Sequence, residues 1–247
     1  PYLIIIEKRL GFLQLIRFLS VRLVMAVIAS LYWPALADGG QDWVRCVYLC
    51  GTDLEREGGA ATNDLIEIME AGAGANIRFV VQTGGTAQWM AADVIPSDRA
   101  ARFDIYDEDM FALWEGPQQN MGDPATLSGF VQWGFENYSA QRYGLVLWNH
   151  GSGSINGVCF DELHDFDSLS LAEIGQALTG YEDRFEFIGF DACLMATIET
   201  AQAVSPYADY MIASEELEPG SGWNYKAFGS FLRDHPQADG AQLGQVV

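Results

Sequence analysis

The sequence predicts an α/β domain, a three-layer α/β/α sandwich whose central sheet is mainly parallel. Three observations lead there. Short apolar runs rich in β-branched and aromatic residues alternate with amphipathic stretches from residue 43 onward. Most of these runs end at glycine or a polar residue, as strands do, and the stretches between them carry helical spacing and caps. No internal repeat or low-complexity linker interrupts the alternation. Strand, helix, strand succession implies right-handed crossovers and helices on both faces of one sheet.

The first 37 residues stand apart. They hold Lys8, Arg9, Arg17 and Arg22, then the apolar run "LVMAVIASLYW" (23–33) and "PALA" before Asp38. A basic segment, a short apolar core and an A-x-A site (Ala35-Leu36-Ala37) read as a secretory signal peptide. The core is well short of the roughly 20 residues that a spanning helix needs. The expected organisation is therefore a leader over 1–37 and one domain over 38–247, open to continuation beyond 247, in an exported protein with no stable membrane anchor after cleavage.

The elements follow in order. "WVRCVYLC" (43–50) reads as a strand closed by Gly51. "TNDLIEIMEAG" reads as a helix capped by its threonine and ended by Gly72, and "NIRFVVQT" (76–83) as a second strand. Residues 86–115 carry a weaker signal, for short strands or a hairpin. "DPATLSGFVQWGFENYSA" opens with Asp123 as cap and Pro124 at the first helical position. Next come the strand "RYGLVLWN", a short strand at "GVCFD", the helix "SLAEIGQALTG", the strand "FEFIGF", the helix "LMATIETAQAV" and the strand "ADYMIAS".

Composition narrows the function. Without residues 1–37 the chain keeps nine basic and 33 acidic residues, a formal charge of −24, and Lys226 is its last lysine. No basic patch is available, which argues against nucleic acid as a partner. The charge suits solubility outside the cell and equally suits a cationic peptide. Cys46 and Cys50 lie on one predicted strand, too far apart to bridge each other. With Cys159 and Cys193 they make no disulfide framework for a domain of this size.

The chemistry concentrates where two strands end. His150 directly follows "GLVLWN" and Cys193 lies three residues beyond "FEFIGF". If those strands are parallel neighbours, both side chains reach the carboxyl edge of the sheet, where open α/β sheets bind ligands. A histidine beside a cysteine is a nucleophile with its proton acceptor. Cys193 also stands at the predicted start of the helix "CLMATIETAQAV", whose dipole would favour a thiolate. Gly151 permits close approach of a substrate, and its N–H with that of Cys193 could hold an oxyanion. Singly, a buried cysteine is usually a small hydrophobe and a histidine is usually satisfied locally; the pair at equivalent strand ends favours catalysis.

At these residues the sequence resembles the clostripain-like cysteine peptidases, a family with a caspase-like fold. The resemblance rests on "LVLWNHGSG", "GFDACLMATIETAQAVSPYADYMIASEE" and "EPGSGWNY", and extends upstream through "NMGDPATLSGFVQWGFENYSAQRYG" and "VYLCGTDLE". It implies His150 as catalytic histidine, Cys193 as nucleophile, and Gly151 as an oxyanion-hole donor. It implies Asp191 as a carboxylate of the S1 pocket that would receive a P1 arginine or lysine of a peptide or protein substrate. Read locally, Asp191 is a strand-end aspartate capping the next helix, and both roles are compatible. Relatives often carry "PGDGW" where this chain has "PGSGW", so Ser221 stands in place of a second pocket acid. Glu215 and Glu216 are nearby substitutes or solvated loop charges. Family members are often activated by cleavage after a basic residue between the catalytic pair; here only Arg184 lies there, at a strand start where cutting would damage the fold.

Other motifs carry less. "GSGSING" lacks the dinucleotide pattern, and no P-loop or G-x-S-x-G is present. "CFDELHDFD" (159–167) gathers acids but fails the EF-hand pattern and reads as a solvated loop. No cofactor is expected; calcium enters as an option through relatives that use it. Trp43, Trp89, Trp114, Trp133 and Trp148 read as core. The expected function is thus an exported cysteine endopeptidase with a preference for basic P1 residues. The alternatives are a non-catalytic binding or scaffold module on the same fold, and an amidase acting on non-protein amides.

Overall fold

The computed structural model describes residues 41–247 apart from Ala75 and Asp183, so the expected leader lies outside the described residues. Its strands are β1 (Gln41–Cys50), β2 (Ile77–Gly84), β3 (Arg99–Tyr106), β4 (Asp109–Pro117), β5 (Ala140–Trp148), β6 (Val158–Asp161), β7 (Asp167–Leu169), β8 (Phe185–Asp191) and β9 (Ala208–Ile212). The helices are α1 (Thr52–Gly58), α2 (Ala60–Glu70), α3 (Pro124–Asn137), α4 (Gly153–Asn156), α5 (Leu171–Leu178), α6 (Ile198–Val204), α7 (Tyr225–Asp234) and α8 (Gly240–Leu243).

Seven strands form one sheet in the order β4-β3-β2-β1-β5-β8-β9. The pairs β1–β2, β1–β5, β5–β8 and β8–β9 are parallel, and β3 and β4 close one edge as an antiparallel hairpin. This is the mainly parallel α/β/α sandwich that the alternation predicts, and residues 86–115 supply the hairpin. "GVCFD" is a strand, but β6 pairs with β7 in a small separate sheet.

The central strands are buried on both faces, which is why they read as continuous apolar runs. Along β1, Val44, Cys46, Tyr48 and Cys50 pack into one core with Phe130 of α3 and Ile174 of α5. The intervening Trp43, Val47 and Leu49 pack into the other with Leu65 of α2 and Phe228 of α7. One strand thus feeds two cores.

Local signals account for several helix starts. Asp123 accepts from the Ala125 N–H at the start of α3, and Ser170 with Glu173 forms a capping box on α5. The expected threonine cap of α2 is not there. Helix α2 begins at Ala60, after Gly59 with φ of +65° separates it from α1. Thr62 lies inside the helix, and its N–H and hydroxyl serve the buried Glu55 carboxylate instead.

Chain direction decides where a site can form. From β1 the chain moves outward to β2, β3 and β4, then returns to place β5 on the other side of β1. The switch point therefore lies between β1 and β5, and the crevice beyond their carboxyl ends is the natural ligand position.

Candidate active site

Three strand ends build this edge. Trp148 is the last residue of β5 and pairs in register with Asp191, the last of β8. His150 and Cys193 each stand two residues past that pair. The Asn149 N–H donates to the Asp191 carbonyl at 3.2 Å, so the two ends stay joined beyond the sheet. A side chain at Gly151 would strike the Cys193 carbonyl oxygen, so the turns after β5 and β8 touch there. The structure thus brings His150, Gly151 and Cys193 to one edge, as their positions after two strands predict.

Asn149 fastens the third strand end. Its amide donates to the Cys50 carbonyl at 2.7 Å and to the Thr52 hydroxyl, and its carbonyl accepts from the Phe160 N–H at 2.8 Å. Thr52 takes φ of +44°, a left-handed turn uncommon for a β-branched residue. That turn delivers Asp53, whose Oδ1 stands 2.8 Å from His150 Nε2. Burial pushes the Asp53 carboxyl up, but the hydrogen bond and charge of His150 outweigh it and hold the group below its ordinary value. With Nε2 engaged by a carboxylate, Nδ1 is the nitrogen left for a reacting group. Asp53 was not singled out in the sequence, although the rule that found His150 and Cys193, applied to β1, leads to it.

The surroundings of Cys193 differ from expectation. No helix begins there: residues 192–197 form a turn, and α6 starts at Ile198 with Thr197 as its cap. Leu194 adopts φ of +63°, which interrupts any helix. The turn is held instead by the segment after β9, since Leu194 N–H donates to Glu216 O and Ala196 N–H to Ser214 O. The helix-dipole argument for the thiolate therefore falls. What reaches the sulfur is the Glu218 N–H, 3.3 Å from Cys193 Sγ. Cys193 is partly exposed, while Cys46, Cys50 and Cys159 are buried and all four are free thiols. Burial pushes the Cys46 thiol up to about 12 and drives those of Cys50 and Cys159 well upward too.

Asp191 is buried at 4% exposure. It does not cap α6. Its Oδ2 accepts from the Tyr225 hydroxyl at 2.9 Å and the Trp223 N–H at 3.4 Å, and its carboxyl is hydrogen bonded to Glu218. Burial raises Asp191 above its ordinary value despite those donors. Gly222, with φ of +59°, crosses so near that a Cβ there would lie 2.9 Å from Asp191 Oδ1. Ser221 is exposed and lines a neighbouring cavity of about 610 Å³ together with Asp53, Glu57, Asp64 and Glu67. Glu215 and Glu216 are exposed as well. The acid that meets Asp191 is Glu218, the first residue of "EPGSGWNY", for which the sequence suggests no role.

The acidic loop 159–167 is not solvated throughout. Asp161 is fully buried and accepts from the Met121 and Leu163 N–H groups. Among the described residues no group of three or more His, Cys, Asp or Glu side chains is placed to hold a metal ion. Nor is any described helix long and apolar enough to cross a membrane.

A parallel α/β/α domain with an imidazole and a thiol on adjacent strand ends has the architecture of the caspase-like cysteine peptidases. More narrowly, the family model described as Peptidase_C11, the clostripain family, matches residues 47–247, and the chain belongs to that family. It is 33% identical over 126 residues to clostripain of Hathewaya histolytica, a match covering 44% of this chain and 24% of that protein. Among solved structures it resembles a secreted C11 cysteine protease of Bacteroides thetaiotaomicron in complex with an irreversible peptide inhibitor. That likeness has a TM-score of 0.63 at 23% identity, over 78% of this chain and 54% of that one. An inactive zymogen C11 protease of Parabacteroides distasonis matches with a TM-score of 0.63 at 22% identity, over the same shares of the two chains. At such identities these two likenesses speak for the fold. The chain spans about a quarter of the curated relative and just over half of the solved ones.

Proposed function

We propose that this domain is an exported cysteine endopeptidase that cuts after basic residues. Cys193 Sγ attacks the scissile carbonyl carbon as a thiolate, and the N–H groups of Gly151 and Cys193 hold the developing oxyanion. His150 gives its proton to the amine as the C–N bond breaks. It then takes a proton from the water that attacks the thioester, and the thiolate leaves. Asp53 orients the imidazole through Nε2, and Asp191 faces the P1 cation. All these steps use groups of the chain itself; calcium enters as an added arm of a cleavage assay.

One observation carries the reading: two reactive side chains stand two residues past a registered pair on adjacent parallel strands, with their turns in contact at Gly151. Family membership supports peptide hydrolysis, and the secreted relative supports export. The test is labelling with a thiol-directed peptidyl electrophile. Cys193 should label, and His150→Ala should slow labelling by about 100-fold, the scale of a lost general base. Sluggish labelling of Cys193, matching buried Cys159 and indifferent to His150, would favour a non-catalytic module. Thiol-dependent turnover with no cleavage in a peptide library would point to an amidase.

A further inference from the structure

The imidazole–carboxylate pair of the site is too open to water to hold itself in place. The side chains of His150 and Asp53 are each 43% exposed. A pair so accessible to solvent gains little from its contact and fixes side-chain geometry poorly. The residues one position earlier in each segment make a second pair, and that one is buried. Asn149 precedes His150 and is 3% exposed, and Thr52 precedes Asp53 and is fully buried. The open pair therefore stands on a closed one.

Both ends of the Asn149 amide are in use. Nδ2 donates to the Cys50 carbonyl at 2.7 Å and to the Thr52 hydroxyl, while Oδ1 accepts from the Phe160 N–H at 2.8 Å. The position needs donors at one end and an acceptor at the other. Aspartate would turn acceptors alone on the Cys50 carbonyl, and leucine would offer neither. The far side of the Thr52 turn is held separately: the Thr86 hydroxyl donates to the Thr52 carbonyl at 2.8 Å, and Glu162 accepts from the Ala87 N–H at 2.7 Å. That clamp ties the turn to the loop after β2. Asn149 ties it to the strand end that carries His150.

We propose that Asn149 is the positioning residue of the His150–Asp53 pair. Through Thr52 it sets where the Asp53 carboxylate meets Nε2, which keeps the hydrogen of the neutral imidazole on Nε2 and leaves Nδ1 free to take a proton. The left-handed turn at Thr52, with φ of +44°, belongs to the same arrangement. A β-branched residue persists in that conformation where its surroundings over-determine it. Asn149 and Thr86 are those surroundings. The effect on turnover rests on the peptidase reading; the geometry does not.

The experiment reads the ring directly, by nitrogen NMR of His150 at a pH where the imidazole is neutral, with His150→Ala identifying its signals among the three histidines. Wild type should hold the hydrogen on Nε2. Asn149→Ala and Thr52→Val should shift the ring toward the tautomer mixture of a free imidazole, as Asp53→Ala does. Thr52→Ser, which returns the hydroxyl, should recover the wild-type signal. Thermal melts show which variants fold, and Thr52→Val, which keeps size and branching, carries the test if Asn149→Ala does not. In peptide cleavage Asn149→Ala should lower kcat about tenfold with KM unchanged, the loss expected of Asp53 itself. After Asp53→Ala the same change should cost less than about twofold, because residues that act through one another are not additive. A folded Asn149→Ala protein with the wild-type tautomer, or a loss that persists in full after Asp53→Ala, would overturn the inference. The tautomer needs no turnover, so the two proposals fail separately. A ring released by Asn149→Ala in a protein whose Cys193 does not label keeps the positioning and removes the peptidase; labelling with an unmoved ring does the reverse.

Discussion

Asp53 and Asp191 are two aspartates at strand ends on one edge of the sheet, with β5 between them, and they have opposite fates. Asp53 follows β1, is 43% exposed at its side chain, and lies against the imidazole of His150. Asp191 ends β8, is 4% exposed, and lies against another carboxyl. Burial pushes both upward, yet Asp53 ends below its ordinary value and Asp191 above. The difference is the partner. His150 Nε2 lies 2.8 Å from Asp53 Oδ1, so that carboxyl has a hydrogen-bonding imidazole beside it. Asp191 is instead deeply buried, and its hydrogen-bond donors do not offset that burial. One edge of one sheet thus carries two differently built halves, one where a carboxyl meets an imidazole and one where it meets another acid.

The comparison breaks most severely at the seam between the halves. Gly151→Ala would push a methyl against the Cys193 carbonyl oxygen and bring it within 3.0 Å of Ala192 Cβ and Met195 Cγ. Displacing the nucleophile by about 1 Å is enough for a loss of about 100-fold in kcat/KM. Overpacking should also cost about 1–3 kcal/mol in a urea melt. An alanine variant with near wild-type turnover would mean that the turns after β5 and β8 move independently. Asp53→Asn sharpens the comparison with a smaller effect. It keeps the shape but removes the charge on His150, and half-exposure limits the loss to about tenfold. As a positioning residue Asp53 should act on kcat with KM unchanged, and Asp53→Glu should recover part of the rate. A loss confined to KM would instead make Asp53 part of the binding surface.

What was legible in the sequence followed from local physics. The strands buried on both faces wrote themselves as apolar runs, and their ends placed His150 and Cys193 at one edge of the sheet. Asp123 announced α3, and the run "SLAEIGQALTG" announced α5. The misreadings occur where the backbone turns left-handed without a strong signal. Leu194 stops a helix that its apolar spacing favours, and Gly59 splits α1 from α2 ahead of Thr62. The missed residues are those whose meaning depends on a distant partner. Asp53 lies 97 positions from His150, and nothing in "GTDLE" hints at an imidazole. Glu218 became inward-facing only through the turn that follows it, whereas Glu215 and Glu216, the two glutamates of "SEE", are exposed.

The smallest effect tests whether burial without a cation is what keeps a proton on this edge. Asp64 on α2 is 5% exposed, and its Oδ2 accepts from Trp148 Nε1 at 2.7 Å. Burial, then the charge of Asp191, push it up to about 9, against the pull of that hydrogen bond. Below about pH 4 both the folded and the unfolded chain hold this proton. Between about pH 4 and about pH 9 the unfolded chain loses it while the folded one keeps it, so the group's contribution to stability falls as pH rises through that window. An asparagine side chain in the same place would accept the same indole N–H and carry no charge at any pH. Asp64→Asn should therefore melt like wild type near pH 4 and gain about 2–8 °C near pH 8.5, equivalent to about 1–2 kcal/mol in a domain of this size. Parallel melting curves across that range would mean that Asp64 is ionised in the fold. A carboxylate so deeply buried would then survive without a cation, and the contrast between Asp53 and Asp191 would lose its cause.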